Sequence, residues 1–193
     1  MPELPEVETI ARGLEPLLAG RRFGALTVLD RRAFGDDPAD YARHFEGRAV
    51  AGVRRRGKLC LVDAEGGGVM AFHLRMTGRL YVARPGDAPE PHLRLHVGLD
   101  DGRALNFADM RRFGSARVFG PGMIDSWEFY ASFGPEPLEL PPGGLARALS
   151  GRGGRVKALL LDQRVLAGVG NIYADESLFL AGIRPDAKAG DIP

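Results

Sequence analysis

The stretch Leu159-Leu160-Leu161-Asp162-Gln163-Arg164-Val165-Leu166-Ala167-Gly168-Val169-Gly170-Asn171-Ile172-Tyr173-Ala174-Asp175-Glu176 decides the architecture. An apolar helical run, Val156 to Leu161, enters a glycine turn, and Asn171 opens a second helix whose pattern continues from Ile172 to Ala181. Two helices in series with no strand between them mark an all-helical unit. Gly168-Val169-Gly170 is not a dinucleotide fingerprint, because no strand precedes it and the third glycine is missing. The N-terminus of the second helix would present free amides, a geometry suited to a backbone phosphate. A plain helix–turn–helix packing motif is the other reading of the same residues.

Upstream of this unit the pattern changes. Leu145 to Leu149 is still helical, but Gly134 to Gly144 holds four prolines and three glycines, and before Gly120 the apolar residues alternate or come in short runs. Phe23–Leu29, Ala49–Val53, Leu59–Asp63, Val69–Leu74, Arg79–Val82, Leu93–Leu99, Ala104–Phe107 and Ser115–Phe119 read as eight short strands between glycine and aspartate turns, the pattern of a sandwich or barrel. A small helix, Pro38 to Phe45, interrupts them. Pro5 to Ala19 places Val7, Ile10, Ala11, Leu14, Leu17 and Leu18 at helical spacing, with Glu6 and Glu8 opposing the macrodipole and Pro16 and Gly20 closing the helix. The expectation is an α+β protein: an N-terminal helix plus an eight-stranded β-sandwich in residues 1–120, and an all-helical second domain in residues 121–193. The last segment, Arg184 to Pro193, carries no pattern and no element to pack.

The chain of 193 residues is 45% hydrophobic and 26% charged, long enough to bury roughly 70% of its unfolded surface. No run approaches the ~20 consecutive apolar residues of a membrane span. A single cysteine, Cys60, excludes an internal disulfide framework and a Cys-only zinc site. With no leader ahead of the first element, a reducing cytoplasm is the expected compartment. Net charge is +1, yet it is segregated: Arg43 to Lys58 carries six basic residues and one acid, and Arg147 to Arg164 five basic and one acid. Such segments can bind a polyanion whatever the net charge, or merely solvate a surface.

The chain opens Met1-Pro2-Glu3-Leu4-Pro5-Glu6. A small second residue permits removal of the initiator methionine, leaving a secondary amine on Pro2. An α-amino group titrates near 8 against ~10.4 for lysine, so at pH 7 roughly 10% is neutral and nucleophilic, against well under 0.1% of a lysine. Attack of this amine on a sugar C1′ would give an iminium whose charge labilises the adjacent C–H, linking base excision to strand cleavage. Glu3 and Glu6 fall near Pro2 in the first turn, suited to proton transfer and orientation, although proline and glutamate at a helix start are also ordinary capping chemistry. Arg55-Arg56-Gly57-Lys58 lies between two expected strands. Lys58 is one of only three lysines among 26 basic residues, and proton transfer there would need lysine, because arginine does not usefully deprotonate; a solvated hairpin charge is the alternative. His73-Leu74-Arg75-Met76-Thr77-Gly78 and Asp109-Met110-Arg111-Arg112-Phe113-Gly114 each set an apolar side chain beside basic groups at a turn. Met76 and Phe113 could fill a gap in a base stack while an arginine bonds the orphaned base, or they could be core residues.

Pro2-Glu3-Leu4-Pro5-Glu6-Val7-Glu8-Thr9, Lys58, Arg111-Arg112-Phe113-Gly114 and Gly170-Asn171-Ile172-Tyr173-Ala174 together resemble the formamidopyrimidine-DNA glycosylase family of base-excision repair enzymes, from Met1 to about Asp186. The resemblance implies a β-sandwich led by a helix, followed by a helix–two-turns–helix domain, with DNA in the cleft between them. It implies that Pro2 is the Schiff-base nucleophile, Glu3 the proton donor at the sugar, Lys58 the proton donor in β-elimination, and Glu6 a carboxylate near the lesion. Met76, Arg111 and Phe113 match residues that fill the duplex once the damaged nucleotide is flipped out. His92, Arg111, Arg152 and Asn171, with His73, match DNA-contacting positions. The implied partner is double-stranded DNA carrying oxidised purines (8-oxoguanine, formamidopyrimidines) or abasic sites, bound by a monomer in the bacterial cytoplasm.

Family members continue into a hairpin zinc finger, usually held by four cysteines, with an arginine that grips DNA and assists δ-elimination. This sequence stops at Pro193 with one cysteine, so the finger and its zinc are expected to be absent and no cofactor is expected in this chain. Met110 replaces the family's usual proline before the double arginine. Three functions follow as expectations: a glycosylase with abasic-site lyase activity, a lyase alone, or a catalytically impaired DNA-binding remnant.

Overall fold

The computed structural model describes residues 1–88 and 90–192. Helix α1 (Leu4–Leu18) leads into β1 (Phe23–Val28), α2 (Pro38–His44), and then β2 (Val50–Arg56), β3 (Leu59–Ala64), β4 (Val69–His73), β5 (Gly78–Ala83), β6 (Leu93–Leu99), β7 (Ala104–Asp109) and β8 (Ser115–Phe119). The strands form two four-stranded antiparallel sheets, β1-β6-β7-β5 and β2-β3-β4-β8. Between them lies a core of Phe23, Phe34, Phe45, Met70, Phe72, Leu95 and Phe107. The helical part holds α3 (Glu128–Ala131), α4 (Gly144–Leu149), α5 (Val156–Leu161) and α6 (Asn171–Leu180).

α1 forms where the sequence places it. Glu3 and Glu6 close a reciprocal capping box, and Leu4, Val7, Ala11, Leu14 and Leu18 make one buried stripe laid against β2. The helix ends at Leu18, and Gly20 turns the chain with φ +73.

Three local readings are corrected. β2 does not stop at Val53 but runs through Arg56, leaving Gly57-Lys58 as a two-residue hairpin turn between the paired residues Arg56 and Leu59. The arginines tolerate the strand because each is neutralised: Arg54 pairs with Asp63 at 2.7 Å, Arg55 with Glu8 at 2.9 Å and Glu136 at 2.6 Å, and Arg56 with Glu136 at 3.0 Å. β7 extends past Phe107 to Asp109 because Ala108 and Asp109 pair with Arg79 and Gly78. The last segment does pack: Lys188 bridges Arg155, the Val156 amide donates to Ala187 O at 2.8 Å, and Ile192 lies against the helical core of Val156, Leu160, Leu166, Ala174 and Leu178. The segment lacks a period because its only regular piece among the described residues is a short 3-10 turn, Ala189–Asp191.

Between the two parts, Trp127, Phe129, Tyr130 and Phe133 lie on the outer face of the β2-β3-β4-β8 sheet, over Leu59, Leu61, Val69 and Ala71. This aromatic layer joins the helical part to the sheet that carries Lys58.

Candidate active site and nucleic-acid interface

The chain's N-terminus is held by the far end of the protein. Glu3 is 2% exposed, and its carboxylate accepts hydrogen bonds from the amides of Gly170 (2.9 Å), Ile172 (2.9 Å) and Tyr173 (3.2 Å), while the Leu4 amide donates to Gly168 O at 3.0 Å. The amides at the start of α6, expected to be free for a phosphate, are therefore largely taken by Glu3. The physical reason is complementarity: a helix N-terminus attracts whichever anion reaches it first, and the fold delivers one from within. Only glycine at 170 lets Glu3 stay where it is, since a Cβ there would collide with Glu3 Cδ and lie 2.5 Å from its Oε1. Asn171 itself is exposed at the helix start.

Glu6 completes the arrangement. Its Oε2 accepts from the Glu3 amide at 2.9 Å, and its Oε1 from the Tyr173 hydroxyl at 3.1 Å. Burial raises the Glu6 pKa, but hydrogen bonds from backbone amides and Tyr173 outweigh it, so the group lies below its usual value.

Lys58 reaches the same region from the β2–β3 turn. It is only 7% exposed, and among the described residues it has no ion-pair or hydrogen-bond partner. Burial lowers its pKa; Glu3 pulls the other way and Arg75 reinforces the lowering. Lys58, Met1, His73, Arg75, Phe129 and Gln163 line a cavity of about 180 Å³. The alternative of a solvated hairpin charge at Lys58 is thereby excluded. His73 stands at the end of β4, paired across to Leu59; its Nδ1 accepts from the Arg75 amide at 3.2 Å. Burial, with Arg75 and Lys58 nearby, pushes its pKa down to about 4, so it is neutral at pH 7.

A second group of expected residues gathers at the turns beyond β4 and β7. Met76 (44% exposed) and Phe113 (56%) stand in solvent, which excludes the core reading of both. The Arg111 guanidinium lies 4.8 Å over the Phe113 ring. Arg75 and Arg112 adopt left-handed backbone, φ +52 and +58, the strained conformations that tight functional turns store. His92 lines a cavity of about 410 Å³ with Met76 and Met110. Arg152 lies apart on the α4–α5 connection, exposed, with its Nε donating to Ala148 O at 2.8 Å.

The two basic segments differ in their availability. In Arg43 to Lys58, the Arg55 side chain and Lys58 are buried, Arg56 is half-buried in an ion pair, Arg43 and Arg54 form exposed ion pairs, and Arg48 is exposed with no ion pair among the described residues, so only the end of the first cluster is internal structure. In the second, Lys157 pairs with Asp175 and Arg164 with Asp162, while Arg147, Arg152 and Arg155 carry no ion pair among the described residues.

Sequence reasoning missed three side chains that hold this site. Glu136, in the proline-rich stretch, accepts from the Gly57 amide at 2.6 Å and binds Arg55 and Arg56, pinning the Lys58 turn to the helical part. Gln163 braces the α5–α6 connection through Leu161 O, Val169 O and the Gly168 amide. Asp109 gathers the second pair of turns. None sits in a periodic pattern, so no local signal distinguishes them.

No described helix is long and apolar enough to cross a membrane. Among the described residues no three His, Cys, Asp or Glu side chains converge as metal ligands, and Cys60 is buried in the sandwich.

Residues 1–116 match the formamidopyrimidine-DNA glycosylase N-terminal domain family, and residues 133–193 the formamidopyrimidine-DNA glycosylase H2TH domain family. The formamidopyrimidine-DNA glycosylase of Chloroflexus aggregans is 45% identical over the whole chain, which covers 70% of that relative; that of Symbiobacterium thermophilum is 46% identical, with 64% covered. Among solved structures, the Lactococcus lactis Fpg in complex with DNA containing an abasic site superposes with a TM-score of 0.89 at 28% identity, over 99% of this chain and 71% of that one. A complex of the same Lactococcus lactis protein with DNA containing N7-benzyl-Fapy-dG gives 0.89 at 29%, over 100% and 72%. The chain thus spans about two thirds of the length of the curated relatives it matches. With both domain families in order and the Glu3–α6 junction formed between them, this chain belongs to the formamidopyrimidine-DNA glycosylase family.

Proposed function

We propose that the chain excises oxidised purines, 8-oxoguanine and formamidopyrimidines, from double-stranded DNA and cleaves the resulting abasic site through a Schiff base on Pro2. The observation that carries this reading is the meeting of the N-terminus with Lys58: Met1 lines the same cavity as Lys58 and His73, so its removal leaves the Pro2 amine at the mouth of a cavity lined by a buried lysine.

The chemistry follows from these positions. The neutral Pro2 nitrogen attacks C1′, and the C1′–base bond breaks, its electron pair leaving with the base, which takes up the proton that the alkylated nitrogen gives up. Glu3, held by three amides, has capacity for one further bond at Oε1; from there it passes a proton to the ring oxygen O4′ as the ring opens and the nitrogen lone pair forms the iminium. Water takes up a C2′ proton, the freed pair forms the C2′=C3′ bond and the C3′–O bond breaks, and Lys58, its proton less tightly held because of burial, is the proton donor to the departing 3′ phosphate. Hydrolysis of the imine frees Pro2. Glu6 fixes the Glu3 amide, and so the direction of the terminus. Met76, Arg111 and Phe113 enter the duplex where the nucleotide has left, and His92, His73, Arg152 and Asn171 contact DNA.

Borohydride trapping tests this on labelled duplexes bearing 8-oxoguanine opposite cytosine or an abasic site, with Pro2→Gly alongside. Covalent adducts on both duplexes, reduced in the variant because its primary amine replaces the cyclic secondary amine, are expected. An adduct on the abasic duplex alone reduces the activity to a lyase, and duplex binding with no adduct leaves a DNA-binding remnant.

A further inference from the structure

The turns that carry Met76 and Phe113 belong to different strand connections, and a single carboxylate joins them. Asp109, the last residue of β7, is 1% exposed. Its Oδ1 accepts from the Thr77 hydroxyl and from the Arg111 amide at 3.2 Å, and its Oδ2 from the Gly114 amide at 2.7 Å. The Thr77 hydroxyl oxygen also accepts from the Arg111 amide, at 3.1 Å. The backbone of Asp109 extends the junction: its amide donates to His92 O at 2.9 Å, and its carbonyl accepts from Arg94 Nε at 2.9 Å. Every side chain assigned to the wedge thus neighbours a group bonded by this residue.

The surroundings admit little else. A Cβ at Gly114 would come within 2.7 Å of the Phe107 ring and 3.1 Å of Asp109 Oδ2, and one at Gly78, beside Thr77, would collide with Leu74 O. Burial raises the Asp109 pKa, but hydrogen bonds from Thr77, Gly114 and Arg111 outweigh it and hold the carboxyl below its usual range. It is therefore an ionised, acceptor-only group that meets donors from both turns, and bonds to a charged acceptor are the stronger class.

We infer that Asp109 is a positioning residue for duplex reading: through Thr77 and the Arg111 and Gly114 amides it locks two separate turns into one rigid wedge that presents Met76, Arg111 and Phe113 to the base stack. This rests on the DNA-lesion reading of the site. The physical requirement is clear in the exposure of these side chains. Two apolar groups standing in water on independent turns would fold back or sample many arrangements, and each arrangement frozen out on DNA binding weakens insertion. A shared buried anchor removes that cost before DNA arrives.

The test uses the full chain with Asp109→Asn, Thr77→Val and Thr77→Ser. In Asp109→Asn one acceptor oxygen becomes a donor, so either the Gly114 amide or the Thr77 and Arg111 pair loses its partner; Thr77→Val removes only the tie between turns. The first readout is the fluorescence of 2-aminopurine next to a tetrahydrofuran site in a duplex, which rises when a wedge unstacks it. The second is borohydride trapping on a single-stranded abasic oligonucleotide, where there is no stack to enter. Asp109→Asn and Thr77→Val are expected to lose the fluorescence rise and to slow duplex processing by roughly 10- to 100-fold, the scale of an ångström-sized misplacement, with single-strand trapping unchanged; Thr77→Ser is expected to restore both. Equal loss on single strand and duplex, or no loss on either, overturns the inference. If the unaltered chain traps neither substrate, the catalytic reading fails, and the fluorescence rise alone decides the wedge: its survival in both variants overturns the assignment of Asp109.

Discussion

Replacing Gly170 with alanine is the sharpest perturbation the structure offers, because it strikes the junction between the N-terminus and α6 without removing any functional group. The new Cβ would stand 2.5 Å from Glu3 Oε1 and 2.7 Å from Cγ, where ordinary contact begins at 3.4 Å. Glu3 must withdraw by about 1 Å, which carries the bonds from the Gly170 and Ile172 amides from 2.9 Å to beyond hydrogen-bonding range. Crowding of this kind costs about 1–3 kcal/mol, and each bond to a charged acceptor is worth about 1.5–3 kcal/mol, partly recovered when water reaches the carboxylate. A net loss of about 3 kcal/mol is expected. For a chain of 193 residues that lowers the melting midpoint by roughly 6–12 °C. Because Glu3 and Pro2 move together, trapping on an abasic duplex, measured below the new midpoint, should slow by roughly 100-fold. Thermal melts and trapping time courses on the purified variant measure both. A variant that melts within 1 °C of the parent, or that melts early yet traps at the parental rate, would show that Glu3 is not coupled to α6 as described.

Three further outcomes are expected. Gly13 lies exposed within α1, and a methyl group there would meet nothing within 4 Å, so Gly13→Ala should stabilise by about 0.5–1 kcal/mol in urea unfolding; destabilisation would contradict the helix register. His73 binds its proton less well folded, at about 4, than unfolded, at about 6.5; its contribution is complete above the unfolded value and is lost as pH falls from about 6.5 to about 4. The stability lost between pH 7 and pH 4 should accordingly be smaller by about 3 kcal/mol in His73→Gln, and parallel pH profiles would refute the buried neutral imidazole. Cys60 is fully buried with its thiol pushed up to about 12, so Ellman's reagent should label it only on unfolding, and rapid labelling of the native chain would contradict the packing of β3.

Local sequence determined the elements with strong periods or strong punctuation. α1 was legible because its apolar stripe and capping carboxylates agree, although Pro16, expected to close the helix, lies inside it and the chain turns only at Gly20. Each of the eight strands was legible from a short apolar run between turn residues, and α6 from the glycine before it. Strand ends were less so: β2 carries Arg54-Arg55-Arg56 inside the sheet, a sequence that reads as a solvated turn until Glu8, Asp63 and Glu136, distant in sequence, arrive to neutralise it. The same pairing explains why the end of a basic segment that looked suited to DNA, Arg55 to Lys58, is consumed within the protein.

For the site, the sequence by itself determined which residue types were available: an N-terminal proline, carboxylates beside it, a rare lysine, and apolar side chains at basic turns. Only the tertiary structure decided how they are used. Glu3 meets α6 across 167 residues and more of chain, Glu136 pins the Lys58 turn from 79 residues away, and Asp109 joins Thr77 to Gly114. Each is a buried carboxylate whose partners are backbone amides, a hydroxyl or arginines on other elements, and a group of that kind leaves no period in the sequence, because what satisfies it is set by the packing of the whole chain.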